Sequence, residues 1–155
     1  MPILFFTNHK DTITGLSFIA GLIGLGFTIY QVGKTNSTLQ ATNGYAIQKD
    51  AREMIGTLRG EKAFSDYVLR FDPNKQYSDE IKNEANRSIA LLLNFYLAVF
   101  RQYKAGGITD SLALSFGKDF CDDVINKSVP IKNFFIARAS EKHDDFRELK
   151  NAWCP

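Results

Sequence analysis

The residue types best suited to chemistry lie together near the C-terminus, in the run Arg138-Ala139-Ser140-Glu141-Lys142-His143. A guanidinium holds a phosphate, and an imidazole moves a proton at a ribose hydroxyl near neutral pH. The pair would suit metal-independent cleavage of RNA. Five positions on an unbroken helix rotate by about 140°, so the two side chains meet only across a helix end or bend. The same residues also suit a structural role, with Arg138 or His143 contacting Glu141, Asp144 or Asp145, since ion-pair networks mimic functional sites. His143 is the only imidazole in this part of the chain, because His9 precedes a long apolar segment. There is no P-loop, no G-x-G-x-x-G, no H-E-x-x-H and no nucleophile elbow. No cofactor or metal is implied, and the balance favours a non-enzymatic role.

Cys121 and Cys154 form no C-x-x-C pair and no zinc-like spacing with either histidine. The expectation is two reduced thiols in a cytosolic domain; a disulfide between them would need an oxidising compartment. Net charge is +2, with acids and bases well mixed, which leaves no strong electrostatic footprint for nucleic acid.

These residues must be positioned by helices. Proline is scarce, aromatics are plentiful and strand-like alternation is nearly absent. From Thr12 to Gly33 there is no charged residue. As a helix this run would span about 33 Å, enough for a hydrocarbon core of roughly 30 Å. Lys10 and Asp11 mark one end, Lys34 the other, and Tyr30 sits where an interfacial aromatic belongs. The run exceeds a signal-peptide core, no Lys or Arg lies in the first nine positions, and no A-x-A-like site follows. A single-pass anchor over residues 1–34 is therefore expected. Ser17, Gly21, Gly24 and Thr28 fall on one helical face, and Ala20 and Gly24 make a second small pair; close backbone approach on such a face favours self-association. Lys34, Lys49 and Arg52 follow the span and Lys10 precedes it, which places the C-terminal part in the cytoplasm, with the protein in a bacterial inner membrane.

Residues 35–60 read as a polar connecting helix carrying Ile47, Ala51, Met54, Ile55 and Leu58 at helical spacing, with Gly33 and Gly44 as weak points and Gly60 as a stop. Residues 61–155 read as a helical domain. A short helix covers about Glu61 to Phe71. Ser78 caps a central helix reaching about Lys104, with Ile81, Ala85, Ile89, Leu92, Tyr96, Phe100 and Tyr103 as its buried stripe and Gly106-Gly107 as its end. Thr109 caps a helix carrying Leu112, Phe116, Phe120 and Val124. Pro130 opens another, with Phe134, Phe135 and Ile136 inward, and Asp144-Asp145 opens the last, through Phe146, Leu149 and Trp153. The expected class is all-α: an N-terminal transmembrane helix followed by a bundle of about five helices.

An arginine followed after four residues by histidine is the signature of HEPN domains, helical bundles that are often nucleases acting on RNA. HEPN nucleases usually carry a polar residue directly after the arginine, where this chain has Ala139. The anchor, the polar connecting helix, the run Leu92-Leu93-Asn94-Phe95-Tyr96 leading to Gly106-Gly107-Ile108-Thr109-Asp110, and the Arg138/His143 segment together resemble a broad group of bacterial single-pass helical proteins. Within that group the chain is similar to the small membrane-associated accessory proteins of type VI-B CRISPR systems, whose helical domain is a divergent HEPN. The resemblance implies an antiviral role: a pore-like homo-oligomer that perturbs the membrane and strengthens defence begun by an RNA-guided RNase. The partners so implied are the lipid membrane, further copies of the chain and, functionally, that RNase. The alternatives are a membrane-tethered HEPN ribonuclease using Arg138 and His143, and a non-catalytic membrane scaffold for a cytoplasmic partner.

Overall fold

The computed structural model describes residues 4–140 and 144–154, with side chains over 23–140 and 145–154. Among the described residues every regular element is helical. The chain forms two compact units, residues 1–39 and 40–155. One helix, α1 (Leu4–Gly60), runs from the first unit into the second.

In the first unit the described part of α1 has no core of its own. Ile23, Leu25, Phe27, Ile29, Tyr30 and Val32 are all exposed, Ile29 at 72% and Phe27 at 60%. Its hydroxyls turn back on the helix: Thr28 donates to the Gly24 carbonyl at 2.9 Å and Thr38 to the Lys34 carbonyl at 3.0 Å. Among the described residues no helix is long and apolar enough to cross a membrane. The uncharged run 12–33 extends beyond them, because the side chains of residues 12–22 lie outside the described set.

The second unit contains α2 (Lys62–Phe64), a π-helical segment at Ser65–Leu69, α3 (Asp79–Lys104), α4 (Asp110–Lys118), a second π-helical segment at Asp119–Ile125, α5 (Val129–Ser140) and α6 (Asp144–Trp153). The central helix α3 starts where Ser78 accepts from the Ile81 amide at 3.4 Å, which satisfies one of the orphan donors of a helix start. It ends in a Schellman turn. Gly106 takes a φ of +72°, its amide reaches the Tyr103 carbonyl at 2.9 Å, and the Gly107 amide reaches the Gln102 carbonyl at 2.8 Å. The carbonyls left over in that turn tie down α1. Gln40 donates to the Gly106 oxygen and Asn43 to the Gly107 oxygen, each at 3.0 Å. α4 begins where the Thr109 hydroxyl accepts from the Leu112 amide at 3.4 Å.

The core gathers on α3. Ala85, Ile89, Leu92, Leu93, Leu97 and Phe100 are buried along it. Phe120 and Phe135 are fully covered, and their rings meet edge to face at 5.3 Å. Trp153 lies 5.3 Å from Phe100 and 6.2 Å from Phe120. A Cβ at Gly117 would come within 2.9 Å of the Trp153 indole, so only glycine lets α6 dock this closely. α6 is also pinned to α3 by ion pairs, Arg101 with Asp145 and Lys104 with Glu148. These pairs are half exposed and add little stability, but they set the register of the two helices.

The structure changes three expectations. α1 continues unbroken through Gly33 and Gly44. Gly44 is a buried contact site, where a Cβ would meet Leu112 Cδ2 at 3.0 Å. Of Phe134, Phe135 and Ile136, only Phe135 is buried, and Ile136 is 49% exposed. Three consecutive helical residues point about 100° apart, so one face cannot bury all three. The expectation of two reduced thiols is also corrected, because Cys121 and Cys154 are joined by a disulfide with Cα atoms 5.5 Å apart. Sequence spacing carries no information on that approach; the docking of α6 beside the second π segment creates it.

Candidate functional site

Arg138 sits on the last turn of α5, exposed, with its guanidinium 5.4 Å from the centre of the Phe134 ring. That distance allows cation–π attraction and holds the side chain along the helix. Phe134 and Arg138 face Asn83, Asn86, Arg87 and Ala90 of α3 across an open cleft of about 340 Å³. The four α3 residues lie at i, i+3, i+4 and i+7, so one face of that helix supplies them. Arg87 is exposed and has no ion-pair partner among the described residues. Two guanidiniums and two carboxamides in one cleft offer donors suited to an oxyanion.

His143 lies outside the described residues, as do Glu141 and Lys142. The structure therefore places Arg138 in a donor-rich cleft and leaves its pairing with His143 unaddressed. Asp145, one of the acids considered as a structural partner, accepts from Arg101 Nε at 3.1 Å. Sequence reading missed Asn83, Asn86 and Arg87. Their helical spacing was visible, but nothing in the sequence said that α5 would lie across from that face.

The small-residue face of α1 is described at two of its four positions. A Cβ at Gly24 would meet nothing within 4 Å, and Thr28 is exposed beside it. The side chains of Ser17 and Gly21 lie outside the described residues. Among the described residues no cluster of histidine, cysteine, aspartate and glutamate could hold a metal ion.

A second concavity went unread in the sequence. The end of α1, both π segments, α3 and the start of α5 enclose a groove of about 390 Å³. Tyr96 lines it at 8% exposure. Burial raises its hydroxyl pKa to about 12, with the Asp119 and Asp123 carboxylates adding to the effect. Its signal in the sequence was a tyrosine at the buried centre of a core stripe, where a hydroxyl normally finds a partner.

Comparison with known proteins adds no identity: no family model, no curated protein and no solved structure matches this chain.

Proposed function

We propose that the chain is a membrane-tethered, self-assembling helical protein whose action is not enzymatic. One observation carries this reading. Over Ile23 to Val32 the apolar side chains Ile23, Leu25, Phe27, Ile29, Tyr30 and Val32 of α1 are exposed, while residues 40–155 close around a core of their own. An exposed apolar surface this wide calls for an apolar environment, and a bilayer supplies it. The self-bonded hydroxyl of Thr28 suits that environment, because a polar group in hydrocarbon must be satisfied internally. The charges after the span, Lys34, Lys49 and Arg52, favour a cytoplasmic position for the second unit. The open surface around Gly24 suits helix–helix contact between copies. In the antiviral setting implied by the type VI-B resemblance, such assemblies perturb the membrane in support of an RNA-guided RNase.

Two measurements test the tether and the assembly. The full chain should stay in the membrane pellet after washing with alkaline carbonate and should be released only by detergent; release by carbonate rejects the tether. Gly24→Leu adds a bulky group where the chain itself leaves open space, so the fold should be unaffected and the oligomer in detergent should shrink. An unchanged oligomer places assembly elsewhere in the chain.

A tethered HEPN ribonuclease is the second reading, favoured by the Asn83, Asn86, Arg87 and Arg138 cleft. It requires RNA cleavage that disappears in His143→Ala.

A further inference from the structure

The groove beside Tyr96 has three properties that seldom coincide by packing alone. Its walls are apolar, supplied mainly by Phe64, Val68, Leu92 and Ile131. Both π-helical segments border it, through Val68 and Leu69 on one side and Asp123 and Val124 on the other. Each segment ends on an i to i+5 hydrogen bond, Arg70 to Ser65 at 3.0 Å and Asn126 to Cys121 at 3.0 Å. Such wide turns are rare and frequently lie at functional sites.

The third property is a hydroxyl that no protein group engages. The Tyr96 residue is more than nine-tenths buried, and its hydroxyl makes no hydrogen bond among the described residues. No fully buried polar side-chain atom in those residues lacks a partner, so the hydroxyl keeps access to the space it lines. That access leaves the hydroxyl open to water in an empty groove, and a ligand acceptor can take the place of that water.

Charge at the mouth is uneven. Lys127 is paired with Asp123, which leaves Arg59 as a cation with no partner among the described residues. The Asp119 and Asp123 carboxylates act on Tyr96, so an anion is disfavoured next to its hydroxyl and belongs at Arg59 instead. A neutral acceptor suits the place beside Tyr96 better than an anion.

We propose that this groove binds a single-chain acyl ester with an anionic head group, with the chain between the two π segments, the ester carbonyl on Tyr96 and the anion on Arg59. The volume falls in the range of small-molecule sites, roughly 300–1,000 Å³. The site lies wholly within residues 40–155 and does not depend on the membrane tether.

The test uses the full chain in amphipol with two probes, a twelve-carbon lysophosphatidate and dodecyl phosphate, which lacks the ester. A diazirine-bearing lysophosphatidate should crosslink to peptides within 55–69 and 124–131, and excess unlabelled lysophosphatidate should compete. Arg59→Ala should weaken both probes about tenfold. Tyr96→Phe should weaken the lysophosphatidate about fivefold and leave dodecyl phosphate unchanged. Leu92→Trp, which fills the groove, should abolish the crosslink while circular dichroism stays helical. Crosslinks confined to residues 12–33, equal competition by dodecyltrimethylammonium, or equal effects of Tyr96→Phe on both probes would each overturn the assignment. None of these outcomes bears on carbonate extraction, so failure here is separable from failure of the tether.

Discussion

Phe120→Ala should lower the stability of the second unit by about 4 kcal/mol, toward the upper end for a core truncation. Phe120 is fully covered and lies where four rings converge. Its centroid is 4.9 Å from Tyr96, 5.3 Å from Phe135 and 6.2 Å from Trp153, and Phe135 in turn touches Phe146 at 6.2 Å. Truncation removes the transfer free energy of the ring, leaves a cavity, and deletes edge-to-face contacts each worth about 0.5–1.5 kcal/mol. The ring neighbours come from α3, α5 and α6 and are themselves packed, so the cavity cannot collapse. The melting midpoint should fall by roughly 15 °C. A fall of only a few degrees would mean that the surrounding rings repack, and that the centre of the core lies elsewhere.

The second large effect belongs to the disulfide. Cys121 and Cys154 are 33 positions apart, and closing a loop of that length restrains the unfolded chain by about 4 kcal/mol in the chain-entropy account. Cys121→Ala and Cys154→Ala should each cost about that much under oxidising conditions, and the double variant should cost no more than either single one. Dithiothreitol should bring the wild type close to the variants. Local loosening should concentrate in α6, whose remaining ties include Phe146, Leu149, Trp153 and two half-exposed ion pairs. Faster amide exchange across Asp144–Trp153 on reduction, with α3 still protected, is the expected pattern. Equal stability of oxidised wild type and double variant would show that packing alone holds α6.

What the sequence revealed of this fold follows from how local each signal is. Ser78 and Thr109 cap α3 and α4 by bonding amides three residues away, so residue type at one position was enough to place both starts. Gly106-Gly107 ended α3 for an equally local reason. The apolar stripe from Ala85 to Phe100 announced a core helix because burial repeats with the helical turn. The π segments were not legible. Leu112, Phe116, Phe120 and Val124 repeat every four positions, as an ordinary α-helix allows, whereas the residues actually buried are Ala113, Gly117, Phe120, Cys121 and Ile125. Gly44 misled for a related reason. Glycine in a helix reads as a weak point, but here it admits Leu112 of α4, a residue 68 positions later in the sequence. The Arg138 cleft shows the same limit. The arginine stood out through its spacing to His143, whereas its actual neighbours on α3 are distant in sequence.

The disulfide has one more implication. If the second unit faces the cytoplasm, the thiol pool there keeps cysteine pairs open, and the bonded form is the one reached when that pool is overwhelmed. The attachment of α6 then becomes conditional on the chemistry of its surroundings. Each molecule carries a covalent record of exposure to oxidant, which rapid acid quenching and thiol alkylation can recover from intact cells copy by copy.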